Sequence, residues 1–129
     1  MLAADTNVWA RAYLNDDLAQ AGKARAALAE ARSAGGVFVP LIVLAELSWV
    51  LRSRWDRARI IDTIENLLQT RGVTVESSVL ARKALEASRN GAVGFADHLM
   101  REIVFESGAS EIITFDKAFG RLPRVRRLK

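Results

Sequence analysis

Short apolar runs alternate along this chain with longer segments in which apolar residues return every three or four positions. The short runs read as strands over residues 1–4, expected to be buried, and over 37–39, 73–75, 112–114 and 125–128. The periodic segments read as helices over residues 7–14, 18–34, 41–52, from a cap at Asp56 to about residue 70, from a cap at Ser77 or Ser78 to about residue 90, and 94–106, with a helical turn at 117–119. Asp5, Thr6 and Asn7 offer capping side chains for the first helix, and Gly35 and Gly36 end the second. Pro40 stops the strand before it. Residues 41–52 are apolar on almost every side, which predicts a helix buried on most faces. Strands alternating with helices imply an α/β fold, with a parallel sheet covered by helices on both faces. No repeat or linker interrupts the pattern, so residues 1–129 read as a single domain.

Composition narrows the chemistry. The chain has no cysteine and one histidine, which excludes a disulfide framework, a thiolate metal site and a histidine-rich zinc site. No apolar run reaches the ~18 residues of a membrane span, and the N-terminus lacks a basic signal region, so a cytoplasmic protein is expected. The net charge is +4, from 19 basic and 15 acidic residues. A charge of that size by itself indicates only a solvated basic surface.

Four acids change that picture. Asp5 closes the first strand, Glu46 interrupts the most apolar helix, Asp97 lies in the first turn of its helix, and Asp116 follows the strand 112–114. With these set aside, 11 acidic residues remain against 19 basic, an acidic centre in a basic molecule. In an open parallel sheet ligands bind beyond the carboxyl ends of the strands, where Asp5 and Asp116 fall. Acids in apolar surroundings are costly unless they share a cation. An all-oxygen set suits Mg²⁺ or Mn²⁺. Each aspartate has a plainer reading as a helix or turn cap; Glu46 is the hardest to explain that way.

The residues carrying these acids resemble a known family. Ala4-Asp5-Thr6-Asn7-Val8, residues 15–20, Val39-Pro40, residues 43–51, Phe95-Ala96-Asp97 and Thr114-Phe115-Asp116-Lys117 occur in the order and spacing of PIN domains. Among these the chain is most similar to the VapC-type toxin ribonucleases. The resemblance runs from end to end. It implies a three-layer α/β/α sandwich with a central parallel sheet of four or five strands. It also implies a Mg²⁺- or Mn²⁺-dependent endoribonuclease, homodimeric and silenced by a cognate antitoxin, a small DNA-binding protein. By that resemblance Asp5, Glu46, Asp97 and Asp116 are the catalytic and metal-binding acids, with Thr6 and Thr114 as supporting polar residues. The chain departs from the family pattern after Asp97, where His98, Arg101 and Glu102 replace small or apolar residues.

Beyond the acids, Arg52, Arg54 and Arg101 are the candidates for gripping RNA phosphates, and the basic segment 117–129 is a second one. Trp9, Tyr13, Trp49 and Trp55 are candidates for stacking on bases. Of these, Trp49 is expected in the core and Trp55 at the surface. His98 is expected at the surface or an interface, outside the chemistry. Three rivals stand beside the ribonuclease reading. A receiver-like phosphoacceptor domain would need paired acids after the first strand, and Asp5 stands alone there. A non-catalytic scaffold binding RNA or protein would not need four acids. Nothing in the sequence excludes DNA as the substrate.

Overall fold

The computed structural model describes residues 1–129, which divide into two compact units, Met1–Ser78 and Val79–Lys129. In the first unit the order is β1 (Leu2–Ala3), α1 (Thr6–Leu14), α2 (Leu18–Ser33), β2 (Val37–Val39), α3 (Leu41–Leu51), α4 (Arg57–Gln69) and β3 (Val73–Val75). In the second it is α5 (Ser78–Ser88), α6 (Phe95–Glu106), β4 (Ile112–Thr114), a 3₁₀ turn (Phe119–Arg121) and β5 (Val125–Arg127). Every strand pairing is parallel, as the alternation of strands and helices predicts. The strands are two or three residues long and form two ladders, β1-β2-β3 and β4-β5, where one sheet was expected.

Caps set the helix starts in the first unit. Asp5 Oδ1 accepts a hydrogen bond from the Val8 N–H, Asp17 Oδ1 from Gln20 and Asp56 Oδ1 from Arg59. Each offsets one of the free N–H groups at a helix start, typically worth about 1 kcal/mol. Pro40 precedes α3 and has no side chain to cap it. Glu76, just past β3, does so instead, accepting the Leu41 N–H at 2.9 Å. Parallel pairing brings the carboxyl ends of β1, β2 and β3 to one edge. Asp5, the start of α3 and Glu76 all follow those ends.

α1 packs on α2 and α3, and α3 on α4. Leu44, Leu47, Leu51, Ile64 and Leu67 are fully buried there. Gly72 has φ +86, and a Cβ would sit 2.6 Å from the Arg32 carbonyl oxygen, so the turn into β3 admits only glycine. Two expectations are corrected in this unit. β1 is exposed at the edge of its ladder, where a buried strand was expected. α3 is buried on one side only: Ile42, Glu46, Trp49 and Val50 are exposed.

In the second unit Val93, Phe119 and Val125 form a small core with Ile112, Ala118 and Leu122 packed against it. α6 buries Phe95, Ala96, His98 and Leu99. A pair of arginines ties α6 to the end of the chain. Arg101 donates to the Pro123 carbonyl through Nε (3.2 Å) and Nη2 (2.7 Å). Arg124 donates to the carbonyls of Ser110 (3.1 Å) and Ala109 (3.0 Å). Both guanidiniums lie over the Phe105 ring, 4.9 and 4.0 Å from its centre. Arg124 holds φ +64, an uncommon conformation for a non-glycine residue, and these contacts account for its persistence.

Candidate active site

In the first unit Thr6 links two of the four acids. It is the first residue of α1, directly after the capping Asp5, and its Oγ1 donates to Glu46 Oε1 at 2.9 Å. Glu46 lies midway along α3, which packs on α1. The hydroxyl therefore aims a glutamate from the middle of one helix at the start of another.

The second unit builds a similar arrangement around Asp116. The Asp116 N–H donates to Thr114 Oγ1 at 3.0 Å, and Asp116 Oδ2 accepts the Phe119 N–H at 2.7 Å. The backbone carbonyl of Asp116 accepts from Gly120 at 3.0 Å, closing the turn after β4. Gly120 allows that turn to lie against β5, since a Cβ there would come 2.7 Å from the Arg127 Cβ. Asp97 is half-buried in the first turn of α6, where the helix dipole favours a negative charge. Both threonines singled out from the sequence thus hold a singled-out acid, Thr6 through its hydroxyl donor and Thr114 through its hydroxyl acceptor.

The capping reading and the site reading of these acids are compatible. Asp5, Glu46 and Asp116 each use one carboxylate oxygen to accept a hydrogen bond, and Asp5 Oδ2, Glu46 Oε2 and Asp116 Oδ1 accept none. A carboxylate oriented through one oxygen with the other open is the form a metal ligand takes. The donor chemistry therefore fits a hard divalent cation. Within neither unit do three or more acidic or histidine side chains gather into a set that could hold a metal ion. Asp5, Glu46 and Asp116 are also exposed, so the burial penalty expected from their apolar sequence neighbours does not apply to them. Each sits at an element end or on the open side of a helix, which apolar neighbours in sequence do not reveal.

The remaining candidates fall out differently. Arg52 and Arg54 are exposed at the end of α3. Arg101 is half-buried, with its guanidinium on Pro123 and Phe105. In the basic segment 117–129, Arg124 is engaged as above and Arg126 pairs with Glu111 at 2.9 Å. That hydrogen bond and charge raise the pKa of Arg126 above its ordinary value. Asp16 is held below the usual carboxylate range, first by its hydrogen bond from Arg11 at 3.0 Å, and more weakly by the charge of Arg54.

Three side chains lie where the sequence did not place them. His98 is buried, 6% exposed, because it shares the core face of α6 with Phe95 and Leu99. Trp49 is 57% exposed, whereas Trp55 is half-buried. Arg59 lies 3.9 Å above the Trp55 ring, and Tyr13 meets that ring edge-on at 6.3 Å. Tyr13 also stacks on Trp9, which is buried. Desolvation within this cluster pushes the Tyr13 hydroxyl up to about 12, against a smaller opposing effect of Arg32. Glu76 was not singled out from the sequence, and its place after a strand was the only available sign of it.

No helix is long and apolar enough to cross a membrane. A scan of protein-family models matches the PIN domain over residues 3–125. No curated protein sequence matches the chain.

Proposed function

The chain belongs to the PIN domain family, and on that premise we propose that it is a Mg²⁺- or Mn²⁺-dependent endoribonuclease, the toxin of a type II toxin–antitoxin pair. PIN domains are nuclease-type domains, and the parallel strands and six helices agree with their α/β fold. The observation that carries the reading to chemistry is the set of oriented carboxylates. Asp5, Glu46 and Asp116 are each fixed through one oxygen and open at the other.

Asp5, Asp97 and Asp116 are the residues assigned to the cation, with Glu46 as a further ligand or as the group that orients the attacking water. When bound, the divalent cation activates water and offsets charge on the phosphate. Thr6 holds Glu46 in one orientation, so little of that orientation need be fixed during the reaction. The Phe119 N–H does the same for the Asp116 carboxylate, and Thr114 holds the backbone N–H of that residue. Arg52 and Arg54 supply cations for the RNA backbone. One family model spanning both compact units supports a single nuclease domain over residues 1–129. The toxin role, with a homodimer, a cognate antitoxin and a cytoplasmic location, is the extension that the family resemblance supports.

A labelled single-stranded RNA incubated with the protein tests the reading. Cleavage with Mn²⁺ or Mg²⁺, and none in EDTA, is the expected result. RNA that is bound but never cut, with every divalent ion tried, would favour the non-catalytic scaffold instead.

A further inference from the structure

We propose that Trp49 is a base-stacking platform that selects single-stranded RNA and seats it beside Glu46. The inference rests on the ribonuclease reading and adds a substrate-contacting residue to it. Ile42, Glu46, Trp49 and Val50 are exposed at helical spacings that place them along one face of α3. Trp49 is 57% exposed, while the other two tryptophans are covered. It lies one turn beyond Glu46, whose carboxylate is held by Thr6 at 2.9 Å.

Cations follow the aromatic directly. Arg52 and Arg54 are exposed at the end of the same helix, and neither side chain makes a hydrogen bond or ion pair within the chain. The charge of Arg54 acts weakly on Asp16. The order along the helix is thus carboxylate, indole, guanidinium. An apolar face alone would suit a second copy of the chain equally well. The adjoining unengaged guanidiniums select a polyanion, and an indole face takes a base only when that base is unstacked. A nucleotide stacked on Trp49 would lie between the arginines that follow it and Glu46 one turn before it. A duplex keeps its base faces hidden and gains only the charge contacts.

The test is RNA binding in EDTA, where metal-dependent cutting is absent. A short single-stranded RNA and the same sequence in a duplex are titrated against wild type, Trp49→Ala and Trp49→Phe. Tryptophan fluorescence and the anisotropy of a labelled RNA are both read, with the mass of each protein in solution. Stacking predicts quenching of wild-type fluorescence by the single strand and loss of that quenching in both variants. It predicts affinity for the single strand about ten-fold weaker in Trp49→Ala, largely kept in Trp49→Phe, and little change for the duplex. Unchanged single-strand affinity in Trp49→Ala overturns the proposal, as does a wild type that binds neither RNA. A Trp49→Ala protein that loses a dimer but keeps its RNA affinity also overturns it and makes this face a protein interface. Binding through Trp49 without any cleavage in Mn²⁺ would leave the platform standing and remove the nuclease reading. Cleavage with binding indifferent to Trp49 would do the reverse.

Discussion

The Thr6 hydroxyl donates to the Glu46 carboxylate at 2.9 Å, across 40 positions of sequence. It joins the helix start capped by Asp5 to the middle of α3, so that one small side chain determines where a candidate catalytic acid points.

Removing that hydroxyl should affect turnover more than binding. Thr6→Ala is expected to lower kcat by roughly ten-fold, about 1.4 kcal/mol in the barrier, with KM little changed. Thr6→Ser should recover most of the rate. Steady-state kinetics on a fluorogenic RNA reads both parameters, and an equal loss in Thr6→Ser would show that the hydroxyl is not the active element.

Asp116 serves a turn as well as the proposed site, and substitution should separate the two roles. Asp116→Asn keeps an acceptor for the Phe119 N–H and should melt near wild type while losing cleavage. Asp116→Ala should lose cleavage and also about 0.5–2 kcal/mol of stability, the usual range for a lost cap. Because Asp116 is exposed, relief of charge repulsion is not expected to raise the melting temperature of the metal-free protein. A clear rise in Asp116→Asn would point to strong repulsion among the acids.

The arginine pair on Phe105 should be structural. Arg101→Ala removes two hydrogen bonds to the Pro123 carbonyl and a ring contact, and should cost about 1–3 kcal/mol. Amide hydrogen exchange should quicken around residues 122–128. Reduced RNA affinity with unaltered melting would instead return Arg101 to the RNA-binding residues.

Tyr13 gives the protein an alkaline sensitivity. Burial pushes its pKa in the folded protein up to about 12, above the ordinary tyrosine value of 10.0, so the unfolded chain loses this proton first. Stability from this group is complete below about pH 10 and declines as pH rises towards 12, by on the order of 2 kcal/mol. Tyr13→Phe should flatten that decline in urea melts at pH 9 to 11.5. An identical slope in the variant would assign the sensitivity to another group.

Local chemistry was legible in the sequence and tertiary partnership was not. Asp5 and Asp56 capped the helices they preceded, because capping needs only a side-chain oxygen and an N–H three residues on. The glycines at 35 and 36 closed α2 with φ of +111 and +97 for an equally local reason. The acids' positions after β1 and β4 followed from the strand pattern. Trp49 and Trp55 exchanged places because Trp55 is covered by Tyr13 of α1 and Arg59 of α4, while the open face of α3 is itself apolar. A helix with apolar residues on both sides gives no periodic sign of which side is wet. His98 was misplaced for the converse reason, since a polar residue on a core face looks like a surface residue until the face is known.

The most direct test of the account is the cleavage rate of one single-stranded RNA by wild type, Asp5→Asn and Asp97→Asn, each titrated with Mn²⁺ and each shown by circular dichroism to be folded. The account predicts Mn²⁺-dependent cleavage by wild type, none in EDTA, and at least a hundred-fold loss (~3 kcal/mol in the barrier) in each variant. Folded Asp5→Asn or Asp97→Asn protein that cuts at the wild-type rate would contradict it.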